Sequence, residues 1–146
     1  MTHRVELSGT VAVAAAAPDA YTLFTPTGER VWAHDWDPHF PVPADTDDTP
    51  GTVFTVSHGA QSTTWIVTAS EPGRHVAYAR AAPDHWAGTV TVDLVPTGPD
   101  TSTVSLTYAL TALTDQAAVD LRLFADEYPH LLEQWEDNIR HALDRR

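Results

Sequence analysis

Residues 114–145 read TDQAAVDLRLFADEYPHLLEQWEDNIRHALDR, and this stretch decides the fold. Leu121, Phe124, Tyr128, Leu131, Trp135, Ile139 and Leu143 recur at intervals of three or four, the spacing of one buried helical stripe. A helix of that length spans roughly 45 Å at about 1.5 Å per residue, enough to cross a whole curved sheet. Pro129 interrupts the pattern. It removes one hydrogen bond and clashes with the carbonyl of Ala125, so a kink or break is expected near Tyr128, which would let the helix follow a concave surface.

Upstream of the helix the period falls to two. Residues 53–58, 63–69, 76–80, 88–95 and 103–113 read as five strands separated by short turns rich in Gly, Pro and Asp, and short turns imply an antiparallel meander. In the last of them Val104, Leu106, Tyr108 and Leu110 face one way and Ser105, Thr107, Ala109 and Thr111 the other, so the sheet has one wet face. A further strand opens the chain, where Val5, Leu7, Val11 and Val13 alternate with Glu6, Ser8, Thr10 and Ala12. Arg4 ahead of VAVAAAA (residues 11–17) imitates a signal peptide, but Glu6 and Gly9 break the apolar region.

Between the first strand and the meander, Pro18 and Asp19 open a short helix through Phe24, and Thr25-Pro26 starts a second with Thr25 as its N-cap and Glu29 in its first turns. Residues 32–51 follow. Pro38, Pro41, Pro43 and Pro50 forbid regular structure there, while Trp32, Trp36 and Phe40 are too apolar to stay in water, so the segment reads as an ordered loop or lid. The predicted fold is therefore α+β: a curved antiparallel sheet of six to seven strands wrapped around a long kinked C-terminal helix, with two short helices after the first strand.

At 146 residues the chain fits one domain, 1–146, able to bury a core without staples. It has no cysteine, which excludes disulfides, thiolate metal sites and cysteine nucleophiles. A formal charge of −12 repels phosphate backbones and anionic membranes, so neither nucleic acid nor a membrane is an expected partner. No stretch approaches the eighteen or so apolar residues of a membrane span, and a cytoplasmic location is expected.

Residues 23–32 (LFTPTGERVW), Trp36-Asp37-Pro38, residues 51–58 (GTVFTVSH), residues 64–67 (TWIV) with Pro72, and residues 76–80 (VAYAR) carry a resemblance. Together with the element order, they resemble bacterial proteins of unassigned function in the SRPBCC superfamily. That superfamily has the helix-grip fold and includes START domains, the major birch-pollen allergen and polyketide cyclase/dehydrase-like proteins. The likeness implies a cavity for apolar or amphipathic small molecules between sheet and long helix. Fold by itself leaves the chemistry open.

Large polar-tipped side chains expected to point into that cavity are His58, Trp65, Tyr78, Arg80 and Tyr108 from strands and Tyr128 and Trp135 from the helix, with Trp32 and Trp36 at its mouth. An apolar pocket with a few fixed polar groups is how small-ligand sites are built. For Trp65 and Trp135 plain core filling is the favoured alternative. An inward Arg80 needs an anionic or carbonyl partner. His58 reads first as a structural histidine, then as a ligand hydrogen-bonder, then as a general base; with Tyr78 or Arg80 stabilising an enolate-like oxygen, the same cavity would serve a cyclase or dehydratase.

His34, Asp35, Asp37 and His39 have metal-ligand types but no ligand-like spacing and read as loop polarity, or for Asp37 as a cap of the turn before Pro38. Asp45, Asp47 and Asp48 read as charged surface, lacking the glycine and spacing of a calcium loop. No phosphate loop, nucleophile elbow or dinucleotide fingerprint is present, and no metal or cofactor is expected. The leading expectation is binding of a small hydrophobic or aromatic ligand. The alternatives are a polyketide cyclase/dehydratase-type enzyme and a partner-binding regulatory module with a filled core.

Overall fold

Alternation of β-branched and polar residues suits strands with one wet face, and six segments meet that condition in the computed structural model, which describes residues 3–43 and 46–145. Asp45 lies outside the described residues. The strands are β1 (Arg4–Val13), β2 (Val53–His58), β3 (Gln61–Glu71), β4 (His75–Ala81), β5 (Trp86–Gly98) and β6 (Thr101–Ala112). They form one antiparallel sheet in the order β1-β6-β5-β4-β3-β2. The meander therefore runs from β2 to β6, and β1 closes the far edge with Leu7 opposite Tyr108 and Val11 opposite Val104. Register shifts between Val67 and Ala69 and between Pro96 and Gly98 mark the irregularities that bend a strand and help curve a sheet.

The concave face buries Val11, Val13, Phe54, Val56, Val67, Val76, Tyr78, Val90, Val92, Val104, Leu106 and Leu110. Helix α2 (Asp115–Asp144) packs onto this face. It begins at Thr114, whose Oγ1 accepts the Ala117 N–H at 3.1 Å. Its buried positions are Ala117, Ala118, Leu121, Tyr128, Leu132, Ile139 and Ala142. The stripe thus passes through Leu132 where the sequence suggests Leu131, because four residues after Tyr128 keeps closer to the seam than three; Leu131 is half-buried. The helix does not break at Pro129, whose ring lies on the exposed side. Among the described residues no helix is long and apolar enough to cross a membrane.

α2 rests on the β1 and β6 edge of the sheet and leaves the β2–β4 half to other cover. That cover comes from the chain between β1 and β2. Helix α1 (Ala17–Thr22) is shorter than expected, and Leu23 and Phe24 continue it only as tight turns whose N–H groups donate to Ala20 and Tyr21. The second expected helix is a single 3₁₀ turn, Gly28–Val31. Thr25 does act near its start, since its Oγ1 accepts the Gly28 N–H at 3.2 Å.

The loop after it is pinned. Trp32 donates its indole N–H to Leu23 O and Trp36 donates its own to Pro26 O, both at 2.7 Å. His39 exchanges two backbone hydrogen bonds with Thr55 at 2.8 and 2.9 Å, a one-residue extension of the sheet beyond β2. Asp48 accepts the Tyr21 hydroxyl at 2.6 Å and Asp47 accepts the Thr27 N–H at 2.7 Å, so these acids are tethers and not merely charged surface.

Candidate functional site

Because α2 covers one side of the concave face and the tryptophan loop the other, a space remains where the two covers meet. It is a hollow of about 220 Å³. Its floor is Thr63 and Trp65 of β3, Tyr78 and Arg80 of β4, Val90 and Val92 of β5, and Leu106 and Tyr108 of β6. Phe124 and Trp135 of α2 roof one side; Phe24, Glu29, Trp32, Ala33, His34 and Trp36 roof the other. The walls interlock edge to face, with ring centroids 5.5 Å apart for Trp36 and Trp65, 5.8 Å for Trp65 and Tyr78, and 6.3 Å for Trp32 and Trp135.

Several polar groups inside are without partners. Arg80 places its guanidinium 4.7 Å from the centre of the Trp65 ring, and its Nε–H, like the Trp65 indole N–H, is buried with no acceptor among the described residues. No ion pair or hydrogen bond joins the Glu29 carboxyl to a described residue either; burial pushes its pKa well above the ordinary carboxylate value, favouring the neutral acid. Burial draws the Arg80 pKa down, an effect Tyr108 partly offsets. Burial, and after it Glu29, raises the Tyr108 pKa, while Arg80 acts the other way.

The expected site residues divide accordingly. Trp32, Trp36, His58, Trp65, Tyr78, Arg80, Tyr108 and Trp135 all line the hollow. Tyr128 does not. It is buried behind the wall, donates its hydroxyl to Leu106 O at 2.7 Å, and has its pKa pushed up to about 12 by burial. Tyr78 lines the hollow with its ring, but its hydroxyl is committed to Phe24 O at 2.9 Å. His58 and Arg80 have the expected inward parity and do not meet: His58 ends β2 and is exposed at the rim, and no hydrogen bond joins the two.

Glu29 is the functional candidate that sequence reading missed. Its placement near the start of a short helix explained it as a dipole partner, and nothing in the local pattern distinguishes an outward acid from one turned under the loop. The one usable signal was its position between Phe24 and Trp32, both buried. His34 reaches the hollow too, while Asp37 accepts Arg30 at 3.0 Å on the surface instead of capping a turn. No group of three His, Asp or Glu side chains that could hold a metal converges among the described residues.

A wider open groove of about 890 Å³ runs below the loop along Tyr21, Phe40, Asp47 and Asp48. Tyr21, Asp47 and Asp48 already hold polar partners there, which makes the interior hollow the stronger candidate.

An antiparallel sheet closed over by a long C-terminal helix, with an aromatic-lined hollow between, defines the helix-grip class of fold. Solved structures bear this out. The chain is similar to protein MLL2253 from Mesorhizobium loti, at 16% identity over 97% of this chain and 98% of that one, with a TM-score of 0.72. It is similar also to a START superfamily protein from Mycobacterium smegmatis, at 14% identity over 93% of this chain and 97% of that one, with a TM-score of 0.67. DynU16, from the dynemicin biosynthetic locus, matches at 14% identity over 96% of this chain and 48% of that one, with a TM-score of 0.61. No family model and no curated protein matches the sequence. At these identities the likeness establishes a START-like, SRPBCC-type fold.

Proposed function

We propose that this protein binds a small hydrophobic or aromatic molecule in the hollow between the sheet and α2. The observation that carries the reading is an aromatic-walled space of about 220 Å³ beside buried N–H groups, Arg80 Nε and the Trp65 indole, that have no acceptor among the described residues and that a packed core would exclude or pair. A regulatory module with a filled core is disfavoured by the same hollow. The test is titration with 2-methylnaphthalene while following tryptophan emission. Binding should quench Trp32, Trp65 and Trp135, and Trp135→Ala should weaken it with the fold retained. Absence of binding both by 2-methylnaphthalene and by its amide and carboxylate analogues, or binding confined to unfolded protein, overturns the reading.

The cyclase or dehydratase alternative draws support from one observation, the half-buried Glu29 carboxyl that lines the same hollow as Tyr108, a group fit to deliver or take a proton. In that version Glu29 replaces His58, which lies at the rim, as the acid–base candidate, and Arg80 is left to stabilise the oxygen, since the Tyr78 hydroxyl is occupied by Phe24 O. Native mass spectrometry of freshly purified protein for co-purified small molecules, repeated after incubation, separates carrier from enzyme by whether the ligand mass changes.

A further inference from the structure

We infer that the ligand of the hollow is a one- or two-ring aromatic carboxylate, its carboxylate seated against Arg80 and Trp65 and its ring between the aromatic walls. This rests on the ligand-binding reading and adds the chemistry of the occupant.

Size sets the first limit. About 220 Å³ lies below the roughly 300–1,000 Å³ of pockets for drug-sized ligands, which favours one or two rings over a long acyl chain or an extended polyketide. Donor chemistry sets the second. Two buried N–H groups, Arg80 Nε and the Trp65 indole, belong to side chains that touch, and neither has an acceptor among the described residues. A buried donor left unpaired is costly, and a buried cation more so, unless something supplies an acceptor with negative charge. The two terminal N–H groups of a guanidinium also offer parallel donors that match the two oxygens of a carboxylate, and those of Arg80, which lines the hollow, hold no hydrogen bond to a described residue.

Among the described residues Glu29 is the only acid lining this space, and no ion pair joins it to Arg80. Its burial keeps it toward the neutral form, which removes a repulsion that would otherwise oppose an anionic guest and leaves an O–H to donate. The chain's charge of −12 works against anions in general, so selection for one inside must come from the local group.

The experiment compares 2-naphthoate, 2-naphthamide and 2-methylnaphthalene by quenching of tryptophan emission at neutral pH. The expected order is naphthoate tightest, naphthamide intermediate and methylnaphthalene weakest, with naphthoate ahead of methylnaphthalene by at least about tenfold. Arg80→Met should shrink that ratio to within about twofold. Naphthoate binding no tighter than methylnaphthalene in the wild-type protein overturns the inference and needs no variant; so does an advantage that survives Arg80→Met in a folded variant. Methylnaphthalene binding on its own overturns only the carboxylate assignment. A series in which nothing binds overturns the ligand-binding reading beneath it.

Discussion

Tyr128 of α2 donates its hydroxyl proton to the Leu106 carbonyl of β6 across 2.7 Å, fastening helix to sheet immediately behind the hollow without entering it. Tyr128→Phe removes that bond and keeps the ring contacts with Tyr108, Phe124 and Trp135. Urea unfolding should show a loss of about 1 kcal/mol, the usual net value of such a bond. Affinity for 2-methylnaphthalene should stay within about twofold. A large affinity loss with unchanged stability would place Tyr128 in the wall after all.

Gly9 determines how closely α2 approaches β1. A β-carbon placed there would lie 2.1 Å from Cδ1 of Leu132 and 3.6 Å from Cε2 of Tyr128. The end of Leu132 can swing aside for one methyl group, so Gly9→Ala should be mild, while the branched Gly9→Val should lower stability by about 1–3 kcal/mol through overpacking. Thermal melts of the two variants check the order. Equal stability of Gly9→Val and wild type would mean the helix seat is loose.

Glu29 gives a pH dependence of fixed sign. Burial raises its pKa in the folded protein above the unfolded value near 4.5, so between the two values the folded state holds more protons than the unfolded state. The resulting contribution is fully present below the unfolded value and is lost as pH rises through the folded one. Glu29→Gln never ionises, so it should match wild type near pH 4 and exceed it near pH 8 by on the order of 1–3 kcal/mol, the range for a poorly solvated, unpaired polar group. Denaturant midpoints across that range are the measurement. A variant destabilised at both ends would show that the carboxylate has a partner.

The loop over β2 should behave as an ordered cover. Hydrogen exchange should find the His39 and Thr55 amides protected by their mutual bridge, and Trp36→Ala should speed exchange at His39 by removing the indole bond to Pro26 and the packing on Phe54 and Trp65. Uniform lack of protection across residues 32–43, with and without 2-methylnaphthalene, would rule out a lid.

Sequence alone determined what short-range periodicity carries. The six strands, their inward and outward faces and the long helix were legible because a period of two or 3.6 names a buried side without reference to any partner. Trp65, Tyr78, Arg80 and Tyr108 fell on the expected face for that reason. Tertiary structure decided how the covers divide the sheet: α2 takes the β1 and β6 edge, the Trp32 and Trp36 loop takes the rest, and the hollow is what neither fills. It also sorted the polar groups. Tyr78 and Tyr128 are committed to carbonyls distant in sequence, Phe24 and Leu106, while Arg80 Nε finds no acceptor among the described residues. Those two bonds join residues 54 and 22 positions apart, and a local pattern of apolar and polar letters holds no record of them. Glu29 shows the limit most clearly, since its neighbours in the chain describe a turn and only its neighbours in space describe a site.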